Sequence, residues 1–207
     1  MKIAITADWH GYTPPKYPEC DLMVVAGDIG LSESFGPRGL SAGEWLADTP
    51  FPVISVAGNH DFDVEAIRAL PWVYLEDEVV EISGLKIWGT PWSNPFGYGW
   101  AFNMTEEDQR KNLRRIPEDV DVIVSHGPAF GFGDLTKDWR DSPPEHVGSD
   151  ALLERALELA NLKLVASGHI HPAYGLIEAH GVKWVNGSLV NEGYQVANEP
   201  IVVSVGP

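Results

Sequence analysis

Five short apolar segments of this chain stop abruptly at a Gly, Asp, Asn or His. The five junctions read KIAIT-ADWH, LMVVA-GD, PVISVA-GNHD, DVIVS-HGP and LKLVAS-GHIH. Each apolar segment has the length and β-branched content of a strand that is buried on both faces. Ligands of open α/β sheets bind beyond the carboxyl ends of the strands, so we expect these five turns to converge on one site.

The polar residues at these junctions are of the types that bind metal ions. They comprise five of the seven histidines with two aspartates and an asparagine: Asp8, His10, Asp28, Asn59, His60, His126, His169 and His171. Imidazole nitrogens with carboxylate and amide oxygens suit Mn²⁺, Fe, Zn²⁺, Co²⁺ or Ni²⁺. A set of this size suits two ions, which about 3.5–4 Å apart can clamp both oxygens of an in-line displacement and generate hydroxide from a shared water. This pattern predicts phosphoester hydrolysis.

The remainder of the chain predicts a mixed α/β fold in which strands outnumber helices. Ser83 and Gly84 separate two strand-like runs as the turn of a hairpin would, and Ser149 is expected to cap the last helix. We expect helices at 41–48, 62–70, 105–115 and 149–160, and strands near 2–6, 22–26, 52–56, 72–75, 78–82, 85–89, 121–125, 163–167, 173–178, 182–186 and 200–205. Parallel strands are expected early in the chain and antiparallel strands later.

Length and composition predict one domain over residues 1–207, which suffices to bury a core without disulfides. The single cysteine, Cys20, indicates a reducing compartment, and the start of the chain lacks the pattern of a secretory signal. No apolar run approaches the roughly 18 residues of a membrane span. We therefore expect a cytoplasmic protein that does not enter a membrane.

A strongly acidic composition argues against general binding to nucleic acid. The formal net charge is −16, and the pI is near 4.6, whereas affinity for nucleic acid comes from Lys and Arg that neutralise phosphates. The motifs DWH, GD, GNHD, SHGP and GHIH themselves contain neither Lys nor Arg. The nearest basic residues in sequence are Arg38, Lys137 and Arg140.

In this order, the five motifs resemble the signature of the calcineurin-like metallophosphoesterases. Longer stretches, among them EWLADTPFPVISVAGNHD and IPEDVDVIVSHGPAFGFGD, resemble the MPPED branch of that superfamily, which is similar to class III cyclic-nucleotide phosphodiesterases. The resemblance implies an α/β fold of four layers, an α/β/β/α metallophosphoesterase sandwich with two mixed β-sheets flanked by helices. It also implies two divalent transition-metal ions, with Mn²⁺ expected before Fe, Zn²⁺, Ni²⁺ or Co²⁺.

The same resemblance implies a role for each motif residue. Asp28 would bridge the two metals, and His60 would approach the scissile phosphate and protonate the leaving oxygen. The remaining ligands would divide into two sets, one for the first metal (Asp8, His10, His171) and one for the second (Asn59, His126, His169).

Some positions depart from the family pattern. Many relatives carry an Asp that orients the catalytic histidine, and an Arg, just after Gly-Asp, but this chain reads GDIGLSE. The residue that orients His60 is therefore unassigned, with Asp61 and Asp63 as candidates by proximity in sequence. Pro172 stands where closer relatives tend to have Glu, a change that can reshape the pocket.

An aromatic-rich segment follows the LKIWG strand. It contains Trp92, Phe96, Tyr98, Trp100 and Phe102. Two interpretations stand side by side: a wall that stacks a nucleobase, with Trp92 and Tyr98 as substrate contacts, or ordinary loop packing.

The function predicted on these grounds is metal-dependent hydrolysis of small phosphodiesters, with 2′,3′- or 3′,5′-cyclic nucleotides as candidate substrates, by attack of a metal-activated hydroxide. Alternatives within the superfamily are a phosphomonoesterase, a phosphoprotein phosphatase or a nuclease. A non-catalytic protein-binding scaffold is least expected, because such a member would be expected to have lost ligands or the catalytic histidine.

Overall fold

The computed structural model describes residues 1–30, 42–47, 49–137 and 143–206. The helices within these residues are α1 (Ala42–Ala47), α2 (Val64–Arg68), α3 (Glu106–Leu113) and α4 (Asp150–Glu158), with a 3-10 turn at His171–Ala173. The strands are β1 (Lys2–Thr6), β2 (Leu22–Ala26), β3 (Val53–Val56), β4 (Val73–Tyr74), β5 (Glu78–Ile82), β6 (Leu85–Thr90), β7 (Val122–Ser125), β8 (Leu164–Ser167), β9 (Gly175–Ala179), β10 (Val182–Asn186) and β11 (Ile201–Ser204).

The first sheet has the strand order β11-β1-β2-β3-β4. Strands β1 to β4 run parallel, and β11 pairs antiparallel with β1. Every residue of β2 and β3 is buried, which explains why these strands read as continuous apolar runs and not as alternating ones.

The second sheet has the order β5-β6-β7-β8-β10-β9. Its centre, β6-β7-β8-β10, is parallel, and both edge strands pair antiparallel. The β5–β6 hairpin turns at Ser83 and Gly84, which both have positive φ (50° and 81°). Two such residues suit a tight turn that follows the twist of the strands, so the predicted hairpin is confirmed.

The two sheets pack face to face around a core supplied by inward-facing strand residues such as Ile5, Val24 and Ile54 from one sheet and Ile87 and Val124 from the other. Helices α1 and α2 pack on the outer face of the first sheet through Trp45 and Ile67. Helices α3 and α4 cover the outer face of the second sheet, burying Leu113, Leu152 and Ala156. These four layers confirm the α/β/β/α sandwich.

Local signals account for most element boundaries. The Ser149 hydroxyl accepts from the Leu152 N–H, so the predicted N-cap of α4 is confirmed. Helix α2 begins at Val64 and not at 62 because Asp63 caps it by accepting from the Ala66 N–H. Strand β9 starts at Gly175 and not at 173, since the 3-10 turn that includes Pro172 occupies the preceding residues.

Within the described ranges, none of the helices has both the length and the apolar character needed to cross a bilayer.

Candidate metal centre

The predicted site forms where two sheets meet. Strands β1, β2 and β3 of the first sheet and β7 and β8 of the second end at this edge, and their following turns bring the motif residues together. Four of these residues have left-handed backbone angles: Asp8 (φ 52°), His10 (φ 45°), Asp28 (φ 53°) and His169 (φ 70°). Such conformations are strained for residues other than glycine and persist only where the surroundings hold them.

The first group of donor atoms comprises Asp8, His10 and His171, whose ligand atoms lie within 4.8 Å of one another. The Nε2 atoms of His10 and His171 are 3.3 Å apart, and His171 Nε2 lies 3.8 Å from Asp8 Oδ1. Asp8 and His10 are both buried.

The second group surrounds His126, whose Nε2 lies 2.9 Å from Asn59 Oδ1 and 3.5 Å from Asp28 Oδ2. Asp28 also lies 3.7 Å from His10 Nε2, so its carboxylate stands between the two groups. His169 lies beside this group, with its ring centroid 4.9 Å from that of His126.

Two histidines of the cluster are hydrogen-bonded through Nδ1 to backbone carbonyls, and this contact determines the tautomer of each ring. Nδ1 of His126 lies 2.9 Å from the Ala26 carbonyl, and Nδ1 of His171 lies 3.1 Å from the Asn191 carbonyl. A carbonyl oxygen only accepts, so Nδ1 donates in both cases, which leaves Nε2 of a neutral ring as the nitrogen that can bind a cation, beside Asn59 Oδ1 in the case of His126. Metal-binding histidines are typically held in this way. The donor set therefore fits divalent cations.

Burial favours the neutral form of three imidazoles of the cluster, those of His10, His126 and His169. It lowers the pKa of His10 to about 3, although Asp8 acts in the opposite direction. It also lowers the pKa of His169 to about 3, and it lowers that of His126. For Asp8, burial acts to raise the pKa, but the neighbouring imidazoles and the Ser188 hydroxyl together lower it. Neutral imidazole beside ionised carboxylate is the protonation state that binds metal.

Asp8 is held by groups that the sequence analysis did not identify. Both of its carboxylate oxygens accept from the His169 N–H, at 3.0 and 2.8 Å. The Ser188 hydroxyl donates to Asp8 Oδ2 at 2.5 Å, and the Ser188 N–H donates to Asn186 Oδ1. The Asn-Gly-Ser stretch at the end of β10 is visible in the sequence as a turn. Nothing in the local sequence links it to Asp8, which lies 180 positions before Ser188.

Two motif glycines are required by close approach. A Cβ atom on Gly58 would lie 2.2 Å from Asp28 Oδ1 and 2.7 Å from His126 Cε1, and one on Gly168 would lie 2.6 Å from Asp8 Oδ2. These distances are far below van der Waals contact, so any side chain would displace the donor atoms.

His60 lies at the mouth of the cluster, in a cleft of about 280 Å³ that is also lined by His169 and His171. Its N–H donates to Asp28 Oδ1 at 2.8 Å, and its ring contacts those of His10 and Trp100, with centroids 4.6 and 4.5 Å apart. A donor atom of His60 also lies within 4.8 Å of those of His10 and Asp28. Its position therefore places it both in the lining of the cleft and within reach of the donor atoms of His10 and Asp28.

The two residues considered as orienters of His60 have other roles. Asp61 accepts from the N–H groups of Ile29, Gly30 and Gly58, and it thereby ties the Gly-Asp turn to the Gly-Asn-His turn. Asp63 caps α2.

Trp92 and Tyr98, the expected substrate contacts, are not among the residues that line the cleft. The Trp92 indole donates to Asp77 Oδ2 at 2.8 Å, and Tyr98 is fully exposed. The cleft is lined instead by Phe96 and Trp100 of the same segment and by Tyr194. The Tyr194 ring lies 4.8 Å from that of His10 and 5.3 Å from that of His171.

Within the described residues, the lining of the cleft contains no Lys or Arg. Lys137 lies nearby and pairs with Glu192 at 3.1 Å. Arg38 and Arg140, the other basic residues considered above, lie outside the described residues.

Comparisons with known proteins agree with this geometry. The family model described as "Calcineurin-like phosphoesterase" matches residues 1–173. A human protein named "Metallophosphoesterase domain-containing protein 1" is 30% identical over 241 residues, covering 99% of this chain and 71% of the relative. Two UPF0046 proteins of Caenorhabditis elegans are also similar. One is 35% identical over 136 residues (64% of this chain, 32% of the relative), and the other is 28% identical over 213 residues (92% and 75%).

Proposed function

Because the chain belongs to the calcineurin-like phosphoesterase family, whose members are metal-dependent phosphoester hydrolases, we propose that it is a two-metal phosphodiesterase acting on small phosphodiesters. Cyclic nucleotides are the first substrates to test. The observation that carries the proposal is three overlapping groups of imidazole and carboxylate donors beside an open cleft, with the donor atoms of each group within 4.8 Å of one another.

In this proposal Asp28 lies between two metal sites. Its Oδ2 is 3.7 Å from His10 Nε2 and 3.5 Å from His126 Nε2, which supports a bridging role. Asp8, His10 and His171 would hold one ion, and Asn59, His126 and His169 would hold the other. Such ions supply positive charge to the phosphoryl oxygens and lower the pKa of a water nucleophile.

His60 is proposed as the proton donor to the leaving oxygen. Its ring lines the cleft, and its backbone N–H is fixed to the Asp28 carboxylate. Histidine is a common general acid near neutral pH.

A preference for diesters over monoesters follows from the charge of the cleft. A monoester dianion requires more positive charge than a diester monoanion, and superfamily monoesterases commonly add arginines that grip phosphate oxygens in a bidentate way. The described cleft lining has no Lys or Arg, and the chain carries a formal net charge of −16. The ions would then supply nearly all of the positive charge, which suits a monoanion better.

The test is the activity of chelated protein reloaded with Mn²⁺, Fe²⁺, Zn²⁺, Ni²⁺ or Co²⁺. We expect chelation to abolish hydrolysis of bis(p-nitrophenyl) phosphate and Mn²⁺ to restore it, with kcat/KM above that for p-nitrophenyl phosphate. A monoester advantage of about tenfold, which is about 1.4 kcal/mol, would favour a phosphomonoesterase. Full activity of metal-free protein would overturn the metal mechanism, and inactivity with every metal would favour a non-catalytic scaffold.

A further inference from the structure

A second and larger cavity adjoins the cleft. This cavity, called the distal groove here, has a volume of about 510 Å³, against about 280 Å³ for the cleft. Thr136, Pro172 and Glu192 line both cavities. A substrate group that extends from the cleft past these three residues therefore reaches the groove directly.

The turn His171–Ala173 connects the two cavities through the backbone. His171 directs Nε2 to the metal-ligand cluster, whereas Pro172, Ala173 and the following Tyr174 line the groove. The Asn186 side chain also connects the groove with the cluster. Its amide donates to the carbonyl of Gly133, which lines the groove. It also donates to the carbonyls of Gly168 and Ile170, which flank His169. The groove is thus fixed in position relative to the metal centre.

The wall of the groove is formed in advance of any ligand. Asp134 is completely buried and accepts from the N–H groups of Gly131 and Gly148 at 3.0 and 2.9 Å. It also accepts from His146 Nδ1 at 2.6 Å. That contact orients the half-exposed His146 ring, so little conformational entropy is lost when a ligand enters.

The lining combines apolar surface with few polar groups. Leu135, Pro144, Pro172 and Ile177 supply the apolar part. The two charged side chains at the junction, Lys137 and Glu192, neutralise each other at 3.1 Å. Pockets of this kind bind uncharged organic groups, with the polar residues setting orientation.

We propose that the distal groove binds one ester substituent of the phosphodiester, an uncharged group of nucleoside size, while the phosphate lies in the cleft. This inference rests on the proposed phosphodiesterase function and adds to it the place where a nucleoside-sized ester substituent is held. Ile177 and Pro172 would contact the substituent, and His146 would hydrogen-bond to its polar edge.

The test compares two diesters that release the same product. Thymidine 5′-(p-nitrophenyl phosphate) and methyl p-nitrophenyl phosphate both yield p-nitrophenol, but only the first carries a nucleoside. With the Mn²⁺-loaded protein, we expect kcat/KM to be about tenfold higher for the nucleoside ester, equivalent to about 1.4 kcal/mol of transition-state binding.

Ile177→Trp would fill the groove, and Leu176→Trp is its matched control. Both side chains are exposed to a similar extent on β9, 43% and 42%, but successive strand residues face opposite sides and only Ile177 lines the groove. Ile177→Trp is expected to raise KM for the nucleoside ester and remove most of its tenfold advantage while leaving the methyl ester unchanged. Leu176→Trp is expected to change neither. An equal effect of Ile177→Trp on both esters, or no effect, would overturn the groove assignment.

A binding measurement that needs no catalysis tests the groove assignment separately from the phosphodiesterase function. Thymidine added to the metal-free wild type is expected to cause saturable shifts of the backbone amide signals of Gly131, Gly133 and His146, and smaller shifts in Ile177→Trp. If neither ester is hydrolysed but these shifts occur, the phosphodiesterase function fails and the groove stands. The absence of shifts at saturating thymidine would overturn the groove whatever the activity.

Discussion

The metal-ligand cluster and the distal groove adjoin each other along the turn His171–Ala173, and they differ in burial and in chemistry. Asp8 and His126 of the cluster are 0% exposed, whereas Leu135 and Ile177 of the groove are 44% and 43% exposed. Cluster residues follow interior strands of both sheets and have several strained backbone angles. Groove residues lie on a loop, on the short turn and on the edge strand β9.

Under the proposed function, this difference separates two tasks, metal chemistry in the cluster and substrate discrimination in the groove. Metal chemistry needs donors held to within a fraction of an ångström, which interior strands and buried hydrogen bonds provide. Discrimination between substrates needs a surface that can change without disturbing those donors, and exposed loops and edges provide it. Changes in the cluster should therefore affect every substrate, whereas changes in the groove should affect only substrates large enough to reach it.

The largest expected effect is the loss of Asp28, the carboxylate proposed to bridge the two metals. Asp28→Ala should lose at least one ion and reduce activity to background on both small and large diesters. Elemental analysis and hydrolysis assays measure this. The matched control is Asp21→Ala, immediately before the amino end of the same β2 strand, where the carboxylate accepts from the Lys2 N–H in an exposed contact. Retention of both ions and full rate by Asp28→Ala would show that the bridging assignment is wrong.

His60→Ala should separate binding from chemistry. If His60 is the proton donor and not a ligand, the variant keeps both ions and loses roughly 10²–10⁴ in rate. The loss should be smaller for nitrophenyl than for alkyl leaving groups, which need protonation more. Exposed His180 provides the control variant His180→Ala. Loss of an ion from His60→Ala would instead assign His60 to the metal group that includes His10 and Asp28.

Ser188→Ala tests whether the hydrogen bonds behind the cluster matter to the metals. It removes the donor to Asp8 Oδ2, and partners of this kind typically change metal affinity by about 10–100-fold. Ser167→Ala is the control, because Ser167 is also buried but donates to the Val185 carbonyl. Metal titration by calorimetry measures both variants, and equal affinities would show that the contact has no influence on binding.

The smallest expected effect is on the pH dependence of stability in chelated protein. Burial lowers the pKa of His10 and His169 to about 3 from 6.5, so between these values the unfolded chain binds protons that the folded chain does not. The free energy of unfolding should therefore fall as pH drops below about 6.5, by up to about 1.4 kcal/mol per pH unit for each group. Urea denaturation at pH 7.5, 6.5 and 5.5 measures the slope.

His169→Asn should reduce that slope, since one of the two groups is removed. A slope that is the same in the variant and the wild type would show that His169 does not remain neutral in the folded protein.

Much of the fold and the cluster could be predicted from the sequence because the signals are local. The apolar runs of β1, β2, β3, β7 and β8 and the donor residues that follow them are contiguous in the chain. Parallel strands bring their carboxyl ends to one edge, so strand type and turn position together predict that the donors meet.

Side-chain direction in the loops depends on partners far away in sequence, and only the tertiary structure decided it. The Trp92 indole donates to Asp77 and is not among the residues that line the cleft, whereas the Tyr194 ring, from a turn near the other end of the chain, contacts that of His10. Ser188 supports Asp8 across 180 positions. The sequence by itself determined the strands and the chemical types of the donors, because hydrophobic runs and turn residues act locally. The structure decided which side chains line the cleft and the groove, because those contacts exist only once the two sheets have packed together.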